Sequence, residues 1–219
     1  MKNLIIAIDG PSGAGKGTLA RTLAMRLGYL HVDTGAMYRS VAWQAALDGL
    51  SLADDGAVAT VAERAVLDQT NGVVTIDGHD VTRAIRTPEI DKAAALVARL
   101  PRVREVLVAR QRALSANGGV VMEGRDIGTV VFPDADMKIY LDASAEERAR
   151  RRASDQAHSG GHGSLADVQS ELVARDQTDS TRAVAPLALA KDAVYIDTTS
   201  MPMEVVVNHV LMLLLDQRQ

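Results

Sequence analysis

The stretch LIIAIDGPSGAGKGTLARTLAMRLG near the start of the chain narrows the possible folds more than any other. An apolar run over 4–8 meets a turn with glycine at 10, 13, 15 and 17, and Leu19, Leu23 and Leu27 then recur one helical turn apart. A short apolar run without polar alternation is what a parallel strand buried on both faces shows. The turn itself, Gly10, Pro11, Ser12, Gly13, Ala14, Gly15, Lys16, fits the phosphate-gripping pattern G-x-x-x-x-G-K. Glycines let backbone N–H groups point inward around phosphate oxygens, and the helix N-terminus adds partial positive charge. Lys16 can bridge the terminal phosphates of a nucleoside triphosphate. The pattern departs at one place: Gly17 follows the lysine and Thr18 comes next, so Thr18, Ser12 or water remain open as magnesium ligands.

Further along, strands and helices alternate. Strands are expected at 29–32, 119–122, 137–141 and 194–196, and helices at 18–27, 36–47, 57–66, 89–100, 102–115, 146–155, 165–176 and 202–215. Gly28 stops the first helix. Ser51 and Asp54 mark a helix start, and Ser144 with Glu147 has the spacing of a capping box. The alternation predicts an α/β fold, a parallel sheet of about five strands with helices on both faces. Only 73–81 breaks it, where Asp77-Gly78 reads as the turn of a small hairpin inside an insertion between the second and third core strands.

Composition excludes several classes. A chain of 219 residues that is 47% hydrophobic can bury one sizeable core. A net charge of −4 gives no broad basic surface for nucleic acid. There is no cysteine, hence no disulfide and no thiolate metal site. The apolar stretch 205–215 is interrupted by Asn208 and His209 and is too short for a bilayer, which takes about 20 residues. With a strand rather than a leader pattern at the start, a cytoplasmic protein without membrane contact is expected. Of the 24 basic residues 19 are arginine, the side chain whose planar fork suits phosphate.

The remaining arginines and acids decide where the phosphate goes. No Asn-Lys-x-Asp guanine reader occurs, and Ser159-Gly160-Gly161 lacks the flanking residues of a transporter signature. Instead Asp33, Thr34, Tyr38 and Arg39 follow the second strand, and Glu123-Gly-Arg125-Asp126 follows the third. Ligands of parallel sheets sit outside these carboxyl ends. Arg175, Asp179 and Arg182 have the spacing of one helix face. Arg148, Arg150, Arg151 and Arg152 precede the glycine-rich stretch 158–163, as a closing lid would require. Each group also has a plainer reading: solvated pairs of Glu146-Glu147 with Arg150 and Arg151, a surface pair of Arg175 with Asp179, and Asp33 as a helix cap. His158 and His162 have no acidic or cysteine partners nearby in sequence and read as a solvated loop.

IDGPSGAGKGTLA, DTGAMYR, IRTPE, PRVREVLVARQRA, EGRDIGTVVFPDADMKIYLDAS, EERARRR and RDQTDSTRAVAPL together resemble the bacterial cytidylate kinases over 8–187. The resemblance implies a core (1–32, 97–147 and 183–219), a monophosphate-binding insertion (33–96) and a helical lid with its adjoining helix (148–182). It implies transfer of the ATP γ-phosphoryl to CMP or dCMP with Mg2+, by a monomer. Arg39, Arg125 and Arg182 would then hold the acceptor phosphate, while Arg104 and Asp126 read cytosine. Arg175 and Asp179 would contact the ribose beside Tyr38, with Asp33 and Thr34 lining the acceptor site. Arg151 and Arg152 would reach the ATP phosphates, and Lys16, Arg125, Arg151 and Arg182 would carry the catalysis. The chain departs from the family pattern at Ala95, Thr178 and Glu123. Ala95 keeps a relaxed UMP/CMP kinase as the alternative, beside a nucleotide-binding protein without turnover.

Overall fold

A computed structural model describes residues 3–70, 72–155 and 164–216. The stretch 158–163, expected as a loop, lies outside them, as do His158 and His162. In chain order the elements are β1 (Ile5–Asp9), α1 (Lys16–Leu27), β2 (Leu30–Asp33), α2 (Thr34–Leu47), α3 (Asp55–Arg64), β3 (Leu67–Thr70), β4 (Val73–Ile76) and β5 (His79–Asp80). Then come α4 (Pro88–Val97), α5 (Pro101–Leu114), β6 (Val120–Glu123), β7 (Met137–Asp142), α6 (Ala145–Ser154), α7 (Leu165–Ser180), β8 (Val194–Asp197) and α8 (Met203–Asp216). One turn of π-helix, Ile127–Val131, follows β6.

The main sheet has five parallel strands in the order β2-β6-β1-β7-β8. Its central strands β6, β1 and β7 are mostly apolar because both faces are covered, whereas the edge strands β2 and β8 carry His31 and Tyr195 and stay partly exposed. Ala7, Val32 and Met122 face Val41, Val58 and Leu107 of α2, α3 and α5. Ile6, Ile8, Val121, Ile139 and Leu141 face Leu19 and Leu23 of α1 and Val206, Val207 and Val210 of α8. The register sets Asp33 opposite Glu123 and Ile8 opposite Glu123, so the carboxyl ends of β1, β2 and β6 finish level. Among the described residues no helix is long and apolar enough to cross a membrane.

The insertion carries its own antiparallel sheet, β3-β4-β5, on a small core of Val74, Ile76, Val81 and Ile85. Asp77 and Gly78 both take positive φ, 50° and 80°, as the expected tight turn demands. Three expectations need correction. Helix α3 stops at Arg64, and the polar Leu67–Thr70, read as no strand, pairs with β4 as its third strand. Helix α7 runs to Ser180 rather than 176, which leaves Arg182 beyond the helix that holds Arg175 and Asp179. At α6 only half of the capping box forms. Ser144 accepts from the Glu147 N–H, but the Glu147 carboxylate turns to Arg150 and Arg151. A reciprocal box forms instead at α7, between Ser164 and Asp167.

Candidate functional site

The chain leaves β1 at Asp9 and must turn within a few residues to start α1. Gly10 has φ 145°, and a Cβ there would stand 2.0 Å from the Leu141 carbonyl oxygen, so only glycine fits beside β7. Gly15 caps α1 without a side-chain hydrogen bond, and no acidic residue occupies the first turn. The first amides of α1 therefore lack a side-chain acceptor, the arrangement that favours an anion. Lys16 is buried beneath them and donates from Nζ to the Pro11 carbonyl at 2.8 Å. Burial, then the nearby Arg125 charge, pull its pKa down to about 7.

Arginines brace this turn from α6. Arg148 is buried and donates to the Ala143 and Ser12 carbonyls, each at 3.0 Å, and pairs with Asp176. Arg151 donates to the Thr198 carbonyl at 2.6 Å and to the Ala14 carbonyl at 3.3 Å. Arg150 makes a solvated pair with Glu147, three residues back instead of the expected four, and Arg151 takes the same carboxylate at the expected spacing. The missing side chain at Gly17 leaves room for Glu123, whose Oε1 would lie 3.2 Å from a Cβ there. The His31 ring meets the same carboxylate oxygen at 3.0 Å. Among the described residues no cluster of three or more His, Cys, Asp or Glu could hold a metal by itself.

The far half of the cleft is built from ion pairs, one local to α2 and the others between elements distant in sequence. Asp33 does cap α2, accepting from Ala36 at 2.9 Å, and also holds Arg39 at 2.9 Å. Burial alone would raise its pKa, but Arg39, the Ala36 N–H and Arg86 bring it down to about 2. Thr34 donates to the Glu123 carbonyl at 2.7 Å and ties α2 to β6. Arg104 of α5 and Asp126 form a fully buried pair, with the Tyr38 hydroxyl 3.3 Å from the same guanidinium. Arg125 donates to Asp179 at 2.8 Å; burial opposes the Arg125 charge, but Asp179, with Asp176 and Glu123, outweighs it and raises the pKa. Arg175 turns to Asp91 of α4 at 3.2 Å rather than pairing with Asp179, and Arg152 meets the same Asp91 oxygen. Arg39 Nε, Arg175 Nε and one terminal nitrogen of Arg182 are buried without a hydrogen-bond partner. Buried unpaired guanidinium N–H groups are costly and call for an anion.

Asp126 is placed by the π-turn behind it, a kind of turn often found at functional sites. Its carbonyl accepts from Val130 and Val131. Asp9 holds the Ile127 and Gly128 amides at 2.8 and 2.7 Å, and Arg112 grips the Val131 and Val130 carbonyls. Burial, outweighing those two amides, raises Asp9 to about 6.

All the expected site residues except Gly10, Pro11 and Ala14 line one cleft of about 1670 Å3. That exceeds the roughly 300–1,000 Å3 of a single-ligand pocket, so there is room for two nucleotides. Sequence reading passed over Asp9, Gln69, Arg86 and Asp91. Asp9 had a visible signal, since it directly precedes the glycine turn. Gln69, whose amide clamps the Asp33 backbone N–H and carbonyl at 2.9 Å each, sits in the strand that was not recognised. Asp91 carries no local signal at all, because its partners lie 61 and 84 residues away.

The cytidylate kinase family model matches residues 6–215. A cytidylate kinase of Desulfitobacterium hafniense is 48% identical, covering 99% of this chain and 94% of its own. One from Pelotomaculum thermopropionicum is 51% identical, covering 94% of this chain and 93% of its own. Among solved structures, a shikimate kinase from Acinetobacter baumannii in complex with shikimate aligns with TM-score 0.51 at 16% identity, over 98% of this chain and 94% of that one. At that identity the likeness concerns the fold alone.

Proposed function

The chain belongs to the cytidylate kinase family, and from that premise we propose that it transfers the γ-phosphoryl group of ATP to CMP or dCMP, giving ADP and CDP or dCDP. The observation that carries the reading is the pairing, in one cleft, of a phosphate-gripping turn with a second arginine group that ends at Arg104 and Asp126.

The acceptor is itself a phosphate oxygen. With a second pKa of about 6 it is largely ionised at neutral pH, so no general base is required. Catalysis is then positioning and charge neutralisation. Lys16 and the α1 amides take the β- and γ-phosphates, with Arg151 and Arg152 from the lid. Arg39, Arg125 and Arg182 take the acceptor phosphate, and the unpaired N–H groups of Arg39 and Arg182 support that assignment. Arg175 and Asp179 take the sugar beside Tyr38. Cytosine offers an N4 amino donor to the Asp126 carboxylate, whereas uracil would set a carbonyl oxygen against it.

Magnesium enters with ATP in this reading, and the donors present suit it. Gly17 offers no hydroxyl, but Glu123 beside it and exposed Thr18 are hard oxygen donors of the kind that share magnesium with phosphates. When bound, the ion would offset charge on the phosphates. The core is 1–32, 97–147 and 183–219, the acceptor-binding insertion is 33–96, and 148–182 closes as a lid that excludes water. A monomer is the working unit in this reading. Both nucleotides are multiply charged and do not cross membranes, so the cytoplasm is the compartment.

The test is product formation from CMP, dCMP, UMP and AMP, each with ATP and magnesium. CDP and dCDP alone are expected. Rapid UMP turnover would instead mean that Ala95, which lines the cleft, relaxes base choice. ADP released without any diphosphate product would overturn the reading.

A further inference from the structure

Asp91 sits in the first turn of α4, within the insertion, and is 7% exposed. One of its carboxylate oxygens meets Arg152 of α6 and Arg175 of α7, the latter at 3.2 Å. One residue further on, Lys92 reaches Glu171 of α7 at 3.3 Å, an exposed pair on the same seam. Among the described residues, no other carboxylate of the insertion pairs with both lid-side helices. The two guanidiniums it joins would otherwise repel each other. Burial lowers the pKa of each; Asp91 opposes this, while Arg39 lowers both and the charge of Arg175 further lowers Arg152.

We propose that Asp91 is a positioning residue that holds Arg152 and Arg175 side by side, so that closure of the insertion sets the lid arginine and the sugar-side arginine in place together. This rests on the functional reading above, in which those two arginines serve different nucleotides. A phosphate arriving from the cleft then joins an ordered cation pair instead of having to order it, which is the advantage of a preorganised site. A merely structural tie would hold the helices together but leave turnover alone. An anion that competes with phosphate would weaken nucleotide binding, and its removal would tighten it.

Asp91→Asn keeps the shape and removes the charge. Calorimetric ATP binding without acceptor should weaken about fivefold, and kcat should fall about tenfold or more, further than either KM rises. The Asp91→Asn/Arg152→Gln double variant should lose less than the product of the two single losses, since both act on one guanidinium. Unchanged ATP affinity and kcat with only a lower melting temperature would overturn the proposal. So would tighter ATP binding, or strictly multiplicative losses. Wild-type protein that makes no CDP would sink the functional reading instead, while the ATP affinities of wild type and variant would still decide the role of Asp91. If Asp91→Asn does not fold, Asp91→Glu keeps the charge but shifts it by one methylene. It should fold and lose kcat severalfold, and wild-type kcat would count against the proposal.

Discussion

The two halves of the cleft are both rich in cations, yet they are ordered by different means. Around the phosphate turn the cations lean on peptide carbonyls, Lys16 on Pro11, Arg148 on Ser12 and Ala143 and Arg151 on Ala14 and Thr198, and the two arginines add one carboxylate each, Asp176 and Glu147. In the acceptor half they lean on carboxylates from other elements: Arg39 on Asp33, Arg104 on Asp126, Arg125 on Asp179. A carbonyl stabilises a cation less than a carboxylate does. Burial depresses Lys16 to about 7 and also lowers Arg175 and Arg182 in the second half, whereas Arg125, held by Asp179, is raised against the same burial. Lys16 waits for charge to be supplied by its ligand; the second half already holds matched pairs that a ligand must join or replace.

Lys16 should test that contrast most sharply. Lys16→Ala is expected to lower kcat about a thousandfold, near the upper end for removing one preorganised charge partner. The melting temperature should not fall, because burial and the Arg125 charge disfavour the Lys16 cation more than the Pro11 carbonyl, Glu123 and Asp9 favour it. Steady-state kinetics and a thermal melt check both halves of that statement, and near-normal kcat would refute the role of Lys16.

Asp126→Ala should behave in the opposite way, losing stability as well as selectivity. It leaves Arg104 buried without its partner, which costs about 3–5 kcal/mol. The preference for CMP over UMP should drop about ten- to a hundredfold, in line with one base-reading contact. An unchanged ratio of specificity constants would mean the base is read elsewhere.

A smaller effect follows from proton linkage. Free Lys16 is largely neutral above pH 7, and ATP phosphates favour its charged form. Binding at pH 8 should therefore take up a proton, and ATP affinity should fall by up to about tenfold per pH unit above 7 and level off below it. ATP itself is fully ionised at pH 8, so calorimetry in two buffers of different ionisation enthalpy reads the uptake directly. No proton change would mean that Lys16 stays charged in the free protein. The smallest effect belongs to Arg150, whose exposed pair with Glu147 is screened by solvent and contributes little. Arg150→Ala should leave the melting temperature and kcat nearly unchanged, unlike Arg151→Ala or Arg152→Ala.

The contrast between the halves also explains what could be read ahead of the structure. The phosphate turn is local: strand, glycines, lysine and helix are contiguous, and each residue type follows from backbone geometry that neighbours impose. The same holds for β1 and β6, whose apolar runs require cover on both faces, and for Asp77-Gly78, whose turn needs positive φ. The acceptor half is not local. Arg104 and Asp126 come from α5 and the turn after β6, and Arg125 and Asp179 are 54 residues apart. Their association came into view through a family resemblance, not through spacing. Where even that was silent, as for Asp91, Gln69 and the extra turn of α7, the cause is physical. A polar side chain shows the same type and local spacing whether it is solvated or paired across the fold, and only packing chooses between them. Periodicity and glycine chemistry thus settled the sheet, its covering helices and the phosphate grip. Three-dimensional packing settled which carboxylate meets which arginine, because buried charges must find partners and those partners lie far along the chain.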